Sequence, residues 1–345
     1  MTADSAFVVI AGPTAVGKTA VALALARRMP AEVVSADSRT VYRGLDIGTA
    51  KPSAADRETV PHHLIDVADP GEVFTLADYQ RLAATAIDGI RRRGRVPLLV
   101  GGTGLYVRAV VDGLAIPSAG PDWALRSRLE EEERLGGDGT LHRRLVEVDP
   151  ASGARIHPRN VRRVIRALEV FYHTGAAIST LQRGPRGSGS TRRNAASGGP
   201  SDRSGRGAED EPCRHPLMVA LTLDRALLHE RIDQRIDRQL AAGLVDEVRR
   251  LLDAGYSPAL PSLQGLGYKE IVPYVAGRAT LVDAVARLRQ NTRRYAKRQG
   301  TWFRADPRYR WIDVGDRSPD VVAGEISAMM AESRSTAHHE HPGRS

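Results

Sequence analysis

The sequence predicts an α/β fold, a P-loop parallel sheet flanked by helices, with an inserted all-helical domain. Three observations carry that prediction. Short apolar runs alternate with segments of helical periodicity as far as Pro117. The stretch "GPTAVGKT", residues 12–19, fits G-x-x-x-x-G-K-[ST] and follows the first apolar run directly. Beyond Pro117 the apolar spacing turns purely helical.

Phe7–Ala11 is β-rich and gives the first strand, and Thr19–Met29, filled with Ala and Leu, gives the first helix. Glu32–Ser35 is the second strand and leads into "ADSRTVYRGLDIGTAKP". Leu76, Tyr79, Leu82, Ala83, Ala86, Ile87 and Ile90 recur at helical spacing, and "RVPLLVGGTG" follows as a buried strand that ends in glycines. Such alternation argues for parallel strands covered on both faces. Residues 1–117 are thus the first part of the core.

Trp123–Leu135, Thr140–Val148 and Val161–Tyr172 read as amphipathic helices of an inserted domain over residues 118–182. Residues 183–214 open with "RGPRGSGSTRRNAASGGPSDRSGRGAEDEP", too poor in large apolar groups to offset the entropy of ordering, and are expected as a disordered loop. The core resumes over 215–330, with "LMVALTLD" (Leu217–Asp224) as a strand and long helices at about Arg225–Ala254 and Thr280–Thr301. Residues 331–345, with His338, His339 and His341, read as a disordered tail.

A chain of 345 residues with 41% hydrophobic content can bury one large core and a smaller appendage. Its formal net charge of +9 points to a polyanionic partner, provided the excess lies on an ordered surface. A single cysteine, Cys213, excludes an internal disulfide framework. No apolar run approaches the roughly 20 residues of a membrane span, so a soluble cytoplasmic protein without membrane contact is expected.

The chemistry of Gly12, Pro13, Thr14, Ala15, Val16, Gly17, Lys18 and Thr19 is local. Successive backbone N–H groups and the positive end of the following helix converge on an anion, and Lys18 adds a full charge. Thr19 stands where P-loop proteins place a Mg²⁺ ligand, which makes Mg²⁺ the expected cofactor. The strand-end carboxylate that a P-loop NTPase uses is missing, because "VPLLVGG" ends in Gly101-Gly102-Thr103. Asp37, after the second strand, faces the same carboxyl edge of the sheet. It reads either as a base or metal ligand or as a helix N-cap or turn residue. A kinase or ATPase in which Asp37 activates a hydroxyl also fits these residues.

Taken together, "GPTAVGKT", "SADSRTVYRGLDIGTAKP", "GGTGLY", "RIHPRNVRRVIRALEV", "LQGLGYKE" and "AKRQGTWFR" resemble the tRNA dimethylallyltransferases, in the same order from about Val8 to Trp311. The resemblance implies that the loop grips the diphosphate of dimethylallyl diphosphate and that the dimethylallyl group moves to N6 of adenosine 37, beside the anticodon of a tRNA. It implies Asp37 as the general base, Arg225 as a diphosphate-binding arginine, and Thr103 close to the reacting centre. Ser38, Arg39 and Thr40, beside Asp37, match the segment that contacts tRNA, and Arg126 matches another tRNA contact. A monomer acting on the anticodon stem-loop is expected.

A basic surface for RNA is available at helical spacing. Arg159, Arg162, Arg163 and Arg166 fall on one face without an interleaved acid, opposite Val161, Val164, Ile165 and Leu168. Arg231, Arg235 and Arg238 form a second stripe, and Arg287, Arg294 and Arg298 a third, with Lys297 beside it. Lys297 and Arg298 complete the expected RNA contacts. Trp302 and Phe303 read as core, and "QGLGYK" carries no role derivable from its residues.

Overall fold

The structure, a computed structural model, describes residues 7–117, 120–182 and 216–339. The chain divides into two compact units, Met1–Asp112 with Pro212–Ser345, and Gly113–Glu211. The segment 183–214, with Cys213, lies outside the described residues.

The first unit begins with β1 (Val8–Ala11), α1 (Lys18–Ala26), β2 (Ala31–Ser35), α2 (Ala54–Thr59), β3 (His62–His63), α3 (Leu76–Arg92), β4 (Val96–Gly101) and α4 (Gly104–Val111). It resumes with β5 (Leu217–Thr222), α10 (Arg225–Ala241), α11 (Leu244–Asp253), α12 (Tyr268–Val275), α13 (Leu281–Arg304), β6 (Arg310–Asp313) and α14 (Pro319–His339). Between them the second unit carries α5 (Trp123–Gly136), α6 (Thr140–Val148), α7 (Pro150–Arg155), α8 (Val161–Thr174) and α9 (Ile178–Leu181).

The six strands lie in the order β3-β2-β4-β1-β5-β6, and every pairing is parallel. Alternate residues of the central strands enter opposite cores. Val8, Ile10, Leu98, Val100, Val219 and Leu221 pack beneath α1 and α14. Val9, Ala11, Leu99, Met218 and Ala220 pack beneath α3, α4 and Phe303 of α13. Burial on both faces explains why these strands read as unbroken apolar runs rather than as alternating ones.

A third cluster joins Val41, Tyr42 and Leu45 of the long loop after β2 to α10 through α13. The second unit has a core of its own, in which Leu125 and Leu129 meet Leu141, Leu145, Val164, Ile165 and Leu168. Asp122 caps α5 by accepting from the backbone N–H of Leu125. Asp149 caps α7, whose Pro150 stands where no N–H is needed.

Three expectations are corrected by the backbone. The helix expected over about Arg225–Ala254 is two helices, because Gly243 adopts φ 94 and breaks the run between α10 and α11. Helical backbone continues through His339, well into the stretch expected as a tail, while residues 340–345 lie outside the described residues. Arg159 stands before α8 rather than on it, since Asn160 is the N-cap.

At the carboxyl edge of the sheet the strands are held very close. A Cβ on Gly101 would stand 2.1 Å from the backbone oxygen of Ala36. Gly101→Ala is therefore expected to pry β4 from the end of β2 and to cost about 1–3 kcal/mol of stability, measurable by urea denaturation of the full chain.

Candidate active site

The phosphate loop leaves β1 through a left-handed path, with Gly12 at φ 143, Ala15 at φ 64 and Gly17 at φ 105. Gly12 is confined as well, because a Cβ there would lie 2.7 Å from the backbone oxygen of Leu221. Val16 turns its side chain into the core and is only 1% exposed. Thr14, Ala15, Gly17, Lys18 and Thr19 line a cavity of about 910 Å³. Lys18 Nζ donates to the carbonyl oxygens of Gly12 (3.0 Å) and Pro13 (2.7 Å), which folds the ammonium over the loop. Burial pulls Lys18 down to about 8, against the negative charge of Asp37 and with the help of Arg235.

Gln299 of α13 fixes the loop from the opposite side. Its Oε1 accepts from the backbone N–H of Thr14 (2.9 Å), and its Nε2 donates to the carbonyl of Gly102 (2.9 Å). Asp37 shows the turn reading and stands in the cavity of the phosphate loop. Its Oδ1 accepts from the backbone N–H of Arg39 (2.8 Å), which closes a turn, and the residue lines the cavity opposite Lys18. Thr103 Oγ1 accepts from the backbone N–H of Ser38 (3.1 Å), so the end of β4 positions the segment that carries Asp37. Tyr295 shares a hydrogen bond with Thr103, and its hydroxyl is pushed up to about 12 by burial and then by the charge of Asp37.

A second cavity of about 270 Å³ meets the first at Thr14, Asp37, Thr49, Arg235, Gln239 and Tyr295. Its remaining walls include Ser38, Arg39, Arg298 and the "QGLGYK" residues Gln264 through Gly267 with Lys269, which gives that motif a place. The loop over both cavities is held from α10 and α11. The Glu247 carboxylate accepts from the backbone N–H groups of Asp46 (3.0 Å), Ile47 (2.8 Å) and Gly48 (3.0 Å) and from the Tyr268 hydroxyl (2.7 Å). Gln239 Nε2 donates to the carbonyls of Ile47 and Gly48, and Arg235 donates to that of Thr49 (3.1 Å).

Several expected residues stand elsewhere. Arg231, Arg235 and Arg238 line the phosphate-loop cavity; Arg231 and Arg235 are half-buried, and only Arg238 is exposed. Arg235 is the arginine whose charge is felt by both Lys18 and Asp37, and the sequence reading placed it on an RNA stripe rather than in the cavity of the phosphate loop, although its spacing on α10 was the available signal. Arg225, expected there, is exposed at the start of α10 and lines a different cavity with Pro13. Thr40 is 6% exposed and lines the phosphate-loop cavity, and its hydroxyl bonds Ser35 Oγ (2.9 Å). Arg298 lines the second cavity whereas its neighbour Lys297 lines the one with Arg225. Phe303 is core, as read, but Trp302 is 38% exposed.

The remaining expected RNA residues belong to the second unit. Arg162 and Arg163 are exposed on α8. Arg126 and Arg166 instead grip Glu169, an acid one turn beyond the stripe. Arg126 binds it through two nitrogens at 2.8 Å each, and Arg166 donates at 2.6 Å. Glu169 is fully buried and also accepts from the backbone N–H of Asp122 (2.7 Å). These two arginines are therefore tied to an internal carboxylate that joins α5 to α8. Its position three residues after Arg166 was the overlooked signal.

A phosphate loop at the carboxyl edge of a parallel sheet, sharing a cavity with a carboxylate and several half-buried cations, gives an α/β protein with a site suited to an anionic group. The chain belongs to the IPP transferase family, whose model matches residues 40–306, a span that excludes the phosphate loop itself. It is 50% identical over 333 residues to a tRNA dimethylallyltransferase of Desulforudis audaxviator, covering 96% of this chain and 100% of that one. The full-length tRNA isopentenylpyrophosphate transferase from Bacillus halodurans is similar in structure, with a TM-score of 0.66, 40% identity, and coverage of 97% of this chain and 100% of that one. A eukaryotic dimethylallyltransferase acting on tRNA superposes with a TM-score of 0.73 at 25% identity, covering 99% and 81%. No helix among the described residues is long and apolar enough to cross a membrane.

Burial pushes the Glu169 carboxyl up, but the bonds from Arg126, Arg166 and the Asp122 amide outweigh it and hold it at about 2, below the ordinary 4.5. A depressed carboxylate stabilises above its unfolded value and loses that contribution as pH falls from 4.5 toward 2. Amide-exchange protection of α5 and α8 is expected to decline over that window. Glu169→Ala should remove the pH dependence and lower local stability by about 1.5–3 kcal/mol even at neutral pH.

Proposed function

We propose that this chain transfers a dimethylallyl group from dimethylallyl diphosphate to N6 of adenosine 37 in tRNA and releases diphosphate. The observation that carries the reading is the meeting of two cavities at Asp37, one lined by the phosphate loop and the other by Ser38, Arg39 and Arg298. A donor held by its diphosphate in the first and a base entering by the second would bring their reacting ends to one carboxylate. Relatives bearing the corresponding enzyme name over nearly the full chain support the same assignment. A purine must leave its stack to enter such a site.

In this reading the exocyclic amine forms a C–N bond as the allylic C–O bond breaks, and Asp37 takes the amine proton. The negative charge that develops on diphosphate is met by the loop amides, by Lys18 and by Arg235, all fixed beforehand. Thr103 and Tyr295, hydrogen-bonded to each other beside Asp37, orient the incoming base.

Among the described residues no group of three or more His, Cys, Asp or Glu side chains could hold a metal ion. The Thr19 hydroxyl stands where it would hold a Mg²⁺ brought in with the diphosphate. When bound, Mg²⁺ supplies further neutralisation of the leaving group.

Mass spectrometry of tRNA incubated with the protein and dimethylallyl diphosphate tests the assignment. The expected product carries the added group on adenosine 37, whereas donor hydrolysis without RNA modification would overturn the reading. Asp37→Asn is expected to lower kcat about 10²–10⁴-fold while tRNA affinity is retained in a filter-binding assay. Because Lys18 loses its proton near 8, kcat/KM for the donor should fall as pH rises through that value. Lys18→Arg should abolish that limb of the profile.

A further inference from the structure

The molecule has another large cavity, of about 1180 Å³, at the carboxyl ends of β1 and β5, where Pro13, Thr222 and Leu223 contribute to its wall. It shares no lining residue with the two cavities that meet at Asp37. Arg225, Arg289, Arg293, Arg294, Lys297 and Arg304 line it, and no carboxylate does so among the described residues. Arg289 and Arg293 are paired with acids of α10, and like charges beyond those pairs repel one another until an anion joins them.

The arrangement is prepared for a ligand in two further ways. Arg289 donates to Asp237 (2.5 Å) and Arg293 to Asp233, which fixes both guanidinium groups on the side of α13 that faces α10. The Nε atoms of these same two arginines are buried without a hydrogen-bond partner among the described residues. Buried donors left in that state are costly unless an acceptor reaches them. His229, also in the wall, is depressed by burial and then by the charges of Arg293 and Arg225, against that of Asp233. Guanidinium forks suit phosphate oxygens in particular.

We propose that this cavity is a second phosphate-binding site, separate from the loop at residues 12–19, with Arg225, Arg294 and Arg304 as its exposed ligands. The phosphate comes either from a free small anion such as diphosphate or from the phosphodiester backbone of an RNA. Only the second source rests on the substrate proposed above.

Titration calorimetry of the full chain with inorganic diphosphate separates the sources. For a free anion, binding persists in Lys18→Ala, and adding Arg225→Ala, Arg294→Ala and Arg304→Ala weakens it tenfold or more. For an RNA backbone, that residual binding is absent. The triple arginine variant then lowers the slope of log affinity for tRNA against log salt by about 2 units, since each single-strand phosphate contact contributes about 0.7. Arg294→Glu, at an exposed position, gives the same reading with one substitution and little risk to folding. Unchanged diphosphate binding in the combined variant together with an unchanged salt slope overturns the site. Modification of adenosine 37 by the unaltered protein is scored separately, so failure of the substrate assignment is not confused with failure of the cavity.

Discussion

One neutral side chain holds the catalytic floor together. Gln299 is 5% exposed and reaches from α13 to two backbone groups that no secondary structure satisfies, the N–H of Thr14 and the carbonyl of Gly102. A Cβ on Gly102 would lie 2.1 Å from its amide nitrogen, so the glycine is required by the contact. Through this amide the phosphate loop and the end of β4 become one rigid piece. Thr103 then passes the constraint to Ser38 and hence to Asp37. An amide suits the task because it donates and accepts at once without introducing a charge beside Lys18.

The same economy of charge governs the loop after β2. Glu247 is a buried carboxylate whose acceptors are filled by three consecutive backbone N–H groups and one phenol. Such a run of N–H groups is an anion-binding concavity, here occupied from within. In the phosphate-loop cavity Lys51 is paired with Asp46 and Asp66 and Arg57 with Asp66, whereas the ammonium of Lys18 meets two carbonyl oxygens, and its depression by burial records how poorly it is solvated there. On α8 the opposite choice was made. Glu169 neutralises Arg126 and Arg166 and converts two surface cations into a helix-to-helix tie.

The parts that were legible in the sequence are those whose physics is local. Unbroken apolar runs marked the doubly covered strands, and the phosphate loop declared itself because glycines and backbone amides do its work within eight residues. Asp37 was legible as a strand-end residue facing the crevice, whereas Thr103 stood out only through the family resemblance of "GGTGLY". Arg235 was not legible, because a cation at i, i+4, i+7 looks the same whether it faces solvent or an internal cavity. Arg225 has the same residue type in a similar setting, but it stands at the first turn of α10, nearly three turns from Arg235. Gln239, Glu247 and Gln299 act on backbone groups about 190 or more residues away, and no periodicity reports such partners. Gly243 and Glu169, by contrast, were in plain view and were read as parts of longer patterns.

The strand order also sets a timetable for synthesis. β1 is made first, yet its partner β5 begins only at Leu217, after the whole second unit. Until then the apolar Val8–Ala11 has β4 on one side and an open ladder on the other, a template for unwanted pairing. A nascent chain therefore carries the most buried strand of the finished molecule as an unprotected border. Chains stopped short of residue 217 are left in that condition permanently, which makes premature termination anywhere in the insert a solubility problem as well as a loss of activity.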